Sequence, residues 1–512
     1  MPHLDELLKD VQTEDYVPPV EITGIAVDSR QVKEGDVFFA VVQGVDRYKF
    51  LDQVVERGAA AVVGDRKDIE LSIPHIQVKD TRAALANASA ALYGYPAREL
   101  TMIGVTGTDG KTTTSNFIYH ILRAAGHSTG MITTVNAQIG DEILDTGFHV
   151  TTPEAFDTQR YLRQMVDAGL THAVLEMTSI GLAQQRGARP QEFDVAVVTN
   201  ITHEHLNDHG TYEAYFDAKA LLFEGLDPSF EKKRIVERLA VLNRDDKSYE
   251  GLAKRTTLNQ ISYGLHPEAD LRAANITNTP EELSFTAKGP GFTFPVETSM
   301  FGAYNVSNAL AAIGATVIGL GISPEAAQAG ISALREVPGR MERIDMGQDF
   351  TAIIDFAHTP NALKVALEAG RELTHGKVIA VFGSAGLRDN VKRRMMPEIA
   401  AELADISVLT AEDPRTESLD DILGEMAAGA RSKGGVERES FWRVPDRGAA
   451  ISFALLHAKP GDLVIVLGKG HEQSMCFGET EYPWDDRVAM RAALAEYLGV
   501  GGPSMPRLPT AA

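Results

Sequence analysis

The segment Gly104-Val-Thr-Gly107-Thr-Asp-Gly110-Lys-Thr-Thr-Thr114 has the residue types and spacing to hold a triphosphate. The apolar run Leu100–Val105 leading into it reads as a buried strand. Beyond it, Phe117, Ile118, Ile121 and Leu122 recur at helical spacing. Strand, glycine turn and helix thus follow in the order a phosphate cradle requires. In such a cradle the backbone N–H groups of Gly107, Thr108, Asp109 and Gly110 face the anion, with the helix N-terminus behind them. Lys111 reaches the outer phosphates, the Thr112 hydroxyl can ligand Mg2+, and Thr113 joins it in the first turn. The strict pattern G-x-x-x-x-G-K-[ST] is not met, because Val105 stands where its first glycine belongs. A turn that merely caps a helix would need neither the lysine nor three threonines.

Other residues suit metal and nucleotide chemistry. Glu176 ends the apolar run Ala173–Glu176, where open α/β sheets present side chains to ligands. A carboxylate there can hold Mg2+ beside phosphates, although in isolation it reads as a solvated strand end. Residues 199–210 cluster three histidines with two acids, but no cysteine or helical H-E-x-x-H spacing supports zinc. Lys219 lies on a helix with an apolar face, where a lysine is ordinarily a solvated side chain. Asn305 and Asn308 sit one helical turn apart, and Asn305 could equally cap the helix.

Chain-wide properties bound these readings. At 512 residues the natural expectation is two to four domains. The net charge of −22, from 49 basic and 71 acidic residues, argues against nucleic-acid or anionic-membrane partners. Cys476 is the single cysteine, which excludes an internal disulfide framework and fits a reducing compartment. The acidic N-terminus lacks the apolar core of a signal peptide, and no apolar run approaches a membrane span. A cytoplasmic, monomeric protein is expected.

Strand–helix alternation implies an α/β fold with parallel sheets. Residues 1–97 show short alternating elements and end at Pro96 and a polar stretch. Residues 98–337 carry the phosphate cradle, then a strand-rich part over 255–300. Val337-Pro-Gly-Arg340 reads as a hinge into a third alternating part over 338–500. The Gly- and Pro-rich residues 501–512 are expected to form a flexible tail.

From Asp28-Ser29-Arg30 to Asp485-Asp-Arg487 the chain resembles the Mur ligases, ATP-dependent amide ligases that extend the peptide of the peptidoglycan precursor. The nearest resemblance is to members that add a diamino acid to UDP-MurNAc-L-Ala-D-Glu. It implies an N-terminal UDP-substrate-binding domain, a central ATP-binding domain and a C-terminal Rossmann-like domain that binds the amino acid. It also implies ATP and two Mg2+ ions. The second ion's ligands would fall on Glu176, His205 and a carbamylated Lys219, and Asn200 would lie near the γ-phosphate. The carbamate makes chemical sense, because it converts a cation into an anion able to ligate Mg2+. Asn305 and Asn308 match adenine contacts; Arg340, Asp355 and His358 match contacts to the ribose and phosphates. ATP would then lie in a cleft that domain closure completes.

For the UDP substrate the resemblance points to Ser29, Arg30, Thr151, Thr152, Ser179 and Arg186. For the incoming amino acid it points to Arg388, Asp413, Arg415, Gly468 and Glu472. Arg388 and Arg415 can each hold a carboxylate with a two-pronged contact, whereas Asp413 and Glu472 suit amino groups. Several positions depart from the family pattern. Ile180 replaces a histidine, and His203, Glu204 and Asn207 change the charge near the metal. Glu412-Asp413-Pro-Arg415 stands for Asp-Asn-Pro-Arg, Leu387 replaces an acid, and Arg394 replaces a proline. Arg415 favours meso-diaminopimelate, whose second carboxylate wants a cation, while the added acids leave lysine or ornithine open. The implied chemistry is activation of a carboxylate as an acyl phosphate, followed by attack of an amine. The alternatives are a divergent paralogue with another carboxylate acceptor and a folylpolyglutamate synthetase-like ligase. Asp28-Ser29-Arg30 speaks against the latter.

Overall fold

The computed structural model describes residues 2–13, 16–42, 45–140, 142–144, 152–202, 209–279 and 282–510. The chain packs as two compact units, Met1–Leu271 with Ala311–Ala327, and Arg272–Leu310 with Gln328–Ala512. Residues 1–97 and the phosphate-cradle sheet therefore share one unit, while the three antiparallel strands Leu271–Asn278, Leu283–Gly289 and Phe292–Thr298 fall almost wholly in the other.

In the first unit, Gly24–Ala26, Asp36–Phe39, Ala61–Gly64 and His75–Gln77 form a parallel sheet in chain order. Alternate residues of its inner strands feed two cores, with Val37, Phe39 and Val63 on one face and Phe38 and Val62 on the other. The larger sheet places Thr101–Thr106 between Val195–Val198 and His172–Glu176, all parallel. Thr129–Ile132 lies beyond His172–Glu176, and Leu239–Asn243 beyond Val195–Val198. These strands are short, mostly apolar runs buried on both faces, which suits a parallel sheet covered by helices. After Thr101–Thr106 the chain lays Thr129–Ile132 and His172–Glu176 on one side of it and then Val195–Val198 and Leu239–Asn243 on the other, so the cradle opens at a switch point of the strand order.

Beneath that sheet the buried Asp194 carboxylate accepts the Met102 N–H at 2.7 Å and pairs with Lys232 at 2.8 Å and with Arg238. It thereby pins the segment after Glu224 to the strand that feeds the cradle. Nearby, His172 stacks on His127 with ring centroids 4.4 Å apart.

The second unit is built on Thr351–Asp355, Leu463–Leu467, Val378–Phe382, Ile406–Leu409 and Phe441–Arg443, parallel in that spatial order, with Glu342–Arg343 antiparallel at one edge. Helices cover both faces through two separate cores. In residues 501–510, Leu508 is buried, Met505 packs against the same core, and the Thr510 hydroxyl donates to Asp446 at 2.9 Å.

Burial, and then the neighbouring His127 and Arg234, hold the His172 imidazole down to about 3 from an ordinary 6.5. The unfolded chain therefore binds a proton that the fold refuses between those values. The contribution of His172 is intact above about pH 6.5 and is lost as pH falls toward 3, by at most roughly 5 kcal/mol. Urea unfolding between pH 7 and 4 should show a falling midpoint for the native chain and a flatter profile for His172→Asn. Parallel profiles would show that acid sensitivity arises elsewhere.

Candidate active site

The helix Lys111–Ala124 starts directly from the turn, with Gly110 at its cap in left-handed backbone at φ 82°. Gly107 has φ 149°, and a Cβ there would overlap the Thr199 hydroxyl. Only glycine lets the turn lie this close to the neighbouring strand end. That strand end then braces the turn. Thr199 Oγ1 donates to the Asp109 carbonyl at 2.6 Å, and the Asn200 carbonyl accepts the Thr108 N–H at 2.7 Å. The Asn200 side chain grips both ends of Asp109, accepting from its N–H at 3.0 Å and donating to its carbonyl at 3.1 Å. The Thr108 hydroxyl meets the Tyr215 hydroxyl at 3.0 Å.

Glu176 is 3% exposed and sits against the first turn of this helix. Its carboxylate accepts from the Thr112 hydroxyl at 2.9 Å, the Thr134 hydroxyl at 3.0 Å and the Thr134 N–H at 3.2 Å. Lys111 Nζ lies 4.0 Å from it and donates to the Thr108 carbonyl at 2.7 Å. Thr112 and Glu176 thus bring together a hydroxyl and a carboxylate, hard oxygen donors of the kind Mg2+ takes. Thr113 is buried in the same turn. Lys219 is also buried, donates to the Gly107 carbonyl at 2.7 Å and lies 4.6 Å from the Tyr215 ring centroid. The sequence reading missed Thr134 and Tyr215, which arrive from separate segments with no motif around them. His205 and the departures His203, Glu204 and Asn207 lie outside the described residues, as does Thr151.

The expected acidic-substrate residues gather in the same unit. Thr152 Oγ1 accepts the Thr178 N–H at 3.0 Å, tying it to the loop after Glu176. Ser179 Oγ meets His209 Nε2 at 3.0 Å. Arg186 pairs with Glu154 at 3.2 Å. Ser29 is buried beside Asp28, whereas the Arg30 side chain is 80% exposed and pairs with Asp28 at 2.6 Å. The Arg30 guanidinium holds the Asp28 carboxyl down to about 2, against a smaller opposing effect of burial.

In the second unit, both Asp355 oxygens are taken by backbone, from Met341 N–H and Ala357 N–H at 2.8 Å each. Phe356 beside it is a hub that the sequence reading missed. The Arg340 guanidinium lies 4.5 Å from its ring centroid, and the His358 and His471 rings lie 4.5 and 5.0 Å away. Asn305 and Asn308 are buried and joined by a 2.9 Å hydrogen bond from Asn308 Nδ2 to Asn305 Oδ1.

The expected amino-acid residues converge around Lys469, which sequence reasoning also passed over. Its ammonium, 1% exposed, pairs with Asp413 at 3.0 Å and with Glu472. Burial opposes its charge, but Glu472 and Asp413 together raise its pKa above the ordinary lysine value. Asp413 also accepts the Cys476 N–H at 2.9 Å. Glu412 is buried against Gly468, with one carboxyl oxygen lacking a hydrogen-bond partner, and burial pushes its pKa up. Asp413 and Arg415 both hold left-handed backbone, at φ 40° and 55°. Arg388 stands apart on an exposed loop beside Leu387, which is 60% exposed.

Comparison with known proteins bears on this arrangement. The Mur ligase middle-domain profile matches residues 105–316, and the Mur ligase, glutamate ligase domain profile matches 339–470. A UDP-N-acetylmuramyl-tripeptide synthetase of Roseiflexus sp. (strain RS-1) is 41% identical over 98% of this chain and 100% of its own length. The chain belongs to the Mur ligase family. A second Mur ligase, the UDP-N-acetylmuramoyl-L-alanyl-D-glutamate–2,6-diaminopimelate ligase of Geobacillus thermodenitrificans, is 39% identical over 93% of this chain and 95% of its own. A solved UDP-N-acetylmuramoyl-L-alanyl-D-glutamate–2,6-diaminopimelate ligase aligns with a TM-score of 0.66 at 28% identity, covering 97% of this chain and all of that one. The α/β Mur ligase fold and an acid–amino-acid ligase follow from this membership. Among the described residues no helix is long and apolar enough to cross a membrane.

Lys469→Met would leave the Asp413 and Glu472 carboxylates facing each other without their shared cation. Breaking a buried pair costs about 3–5 kcal/mol, so these partly exposed acids should lose roughly 2–3 kcal/mol. Denaturant unfolding at pH 8 should reveal that loss. Unchanged stability at pH 8 would mean the ion triad contributes nothing.

Proposed function

We propose that this ligase adds a diamino acid, meso-diaminopimelate, to UDP-MurNAc-L-Ala-D-Glu, using ATP and Mg2+. The observation that carries the reading is the convergence of Lys111, Thr112 and Glu176 on one glycine turn, in a chain similar over its length to tripeptide synthetases. Functionally we read residues 1–97 as the UDP-substrate part, 98–337 as the ATP part and 338–500 as the amino-acid part.

Thr112 and Glu176, joined by His205 and a carbamylated Lys219, would hold Mg2+, which supplies neutralisation of phosphate charge. The Lys111 ammonium and the helix N-terminus orient the triphosphate and draw charge from the transferring group. The D-glutamate side-chain carboxylate attacks the γ-phosphorus, the bond to the β-phosphate oxygen breaks, and an acyl phosphate and ADP result. The amine then attacks the acyl carbon, a proton leaves the nitrogen, and the C–O bond to phosphate breaks. Positioning and charge stabilisation carry this chemistry, and no protein nucleophile is required.

The acid-rich departure at 412–413 is weaker support for lysine or ornithine than its charge count suggests. Burial drives Glu412 toward its neutral form, and Lys469 already offsets Asp413. Arg415 then remains as a cation suited to the distal carboxylate of meso-diaminopimelate.

A coupled ADP-release assay with UDP-MurNAc-L-Ala-D-Glu and a panel of diamino acids tests the whole reading. Turnover should require both substrates, be highest with meso-diaminopimelate, and fall at least a thousandfold in a folded Lys111→Ala protein, on the order of 4 kcal/mol of transition-state stabilisation. Near-native turnover by that variant would remove Lys111 from the chemistry, while a preference for lysine would overturn the acceptor alone. Lys219→Ala should be similarly inactive and partly rescued by added short carboxylates. Full activity of Lys219→Ala at low bicarbonate would rule out the carbamate.

A further inference from the structure

Residues 199–210 hold three histidines, and His209 is the one that lies among the described residues. Gly210 follows it in left-handed backbone at φ 77°. Thr211 then caps the helix Tyr212–Glu224 by accepting the Ala214 N–H at 3.1 Å. His209 therefore stands at the head of a helix whose start is fixed. The body of the same helix reaches the phosphate turn at two points. The Tyr215 hydroxyl meets the Thr108 hydroxyl at 3.0 Å, and Lys219 donates to the Gly107 carbonyl at 2.7 Å.

The head of the helix reaches in another direction. His209 Nε2 meets Ser179 Oγ at 3.0 Å, while its ring lies against the Tyr215 ring with centroids 5.4 Å apart. Ser179 opens the helix Ser179–Ala183 directly after its cap Thr178, whose hydroxyl meets that of Thr152 at 3.0 Å. Ser179 and Tyr215 are both buried, so these contacts are shielded from competing water. Ser179, His209, Tyr215 and Thr108 thus form a continuous run of side chains from the acceptor loop to the phosphate turn. A short aromatic side chain held on one edge by a hydrogen bond and on its face by packing makes a stiff link, and close-packed interiors transmit position.

We infer that His209 is a positioning residue for phosphoryl transfer, a strut that sets the acceptor loop at a fixed distance from the phosphate turn. This rests on the reading that the turn holds ATP and that the segments around Thr152 and Ser179 hold UDP-MurNAc-L-Ala-D-Glu. Each substrate keeps its own contacts when the strut is lost, so binding survives. What suffers is the mutual placement of the D-glutamate carboxylate and the γ-phosphate, and a misplacement of about 1 Å costs on the order of a hundredfold in rate.

Rapid-quench measurement of ADP formed from ATP and UDP-MurNAc-L-Ala-D-Glu, alongside steady-state kcat and KM, tests the strut. The variants are His209→Phe, His209→Gln, Ser179→Ala and the double variant of His209→Phe with Ser179→Ala. Phenylalanine keeps a ring against Tyr215 but cannot bond Ser179, whereas the glutamine amide can. The rate of ADP formation and kcat should fall about tenfold or more in His209→Phe, with part recovered in His209→Gln. Both KM values and the thermal midpoint should stay near native. The double variant should fall no further than the single ones, because each removes the same link. Native rates in His209→Phe overturn the strut and leave the ligase reading standing. A raised KM for the acceptor at native kcat also overturns it, by making His209 a binding group. So do losses that multiply in the double variant, or a lowered thermal midpoint with no recovery in His209→Gln. Failure of the native chain to form ADP with UDP-MurNAc-L-Ala-D-Glu overturns both readings.

Discussion

The second unit depends on one buried ion pair. Arg447 and Asp486 are each fully buried and meet through two parallel contacts of 2.7 Å, from Nε and Nη2 to the two carboxylate oxygens. Trp484 Nε1 donates to the same carboxylate at 2.9 Å. Two more of the guanidinium's hydrogens go to the carbonyls of Ala411 at 3.1 Å and Leu467 at 2.9 Å. Those carbonyls close two adjacent stretches, one leading into Glu412–Arg415 and the other into Gly468–Glu472. A desolvated charge pair is a poor source of net stability, but its geometry is strict, because every donor left unmatched would be costly. The pair acts as a rivet that fixes where the amino-acid loops leave the sheet. The left-handed backbone at Asp413 and Arg415 is tolerable only because these exits are fixed.

The first unit uses buried charge in a related way, with Asp194 below the sheet and Glu176 above it. Asp194 is surrounded by two cations and a backbone N–H, so its role is anchoring. Glu176 is surrounded by hydroxyls and an N–H, with one ammonium at 4.0 Å. One end of the parallel sheet is thus locked by paired charges, while the other presents a carboxylate beside a helix N-terminus.

The phosphate cradle was legible in the sequence because it is contiguous: strand, turn and helix are encoded within about twenty residues. The short buried strands were legible for the same reason, as mostly apolar runs. Side chains that work in pairs across the fold were not. Thr134 and Lys469 belong to no motif, and their partners stand 42 and 56 positions away in Glu176 and Asp413. Asn200 and Asp355, expected as ligand contacts, also brace backbone, Asn200 at Asp109 and Asp355 at Met341 and Ala357, which residue type alone does not reveal. Phe441–Arg443 and the hairpin of Ser474–Phe477 with Thr480–Pro483 were missed because three or four residues give too little alternation to recognise.

The fit between Gly107 and Thr199 also limits how this sequence can drift. A side chain at 107 meets two independent obstacles, the Thr199 hydroxyl and the left-handed backbone. Trimming Thr199 to alanine would open space, but it would also remove the hydrogen bond to the Asp109 carbonyl and leave the torsional strain in place. Trimming Thr199 therefore does not by itself rescue a substitution at 107. Gly126, Gly140, Gly169 and Gly291 also have positive φ but face open space. They can exchange with asparagine at modest cost, so over long divergence these glycines should wander while the one in the turn stays fixed.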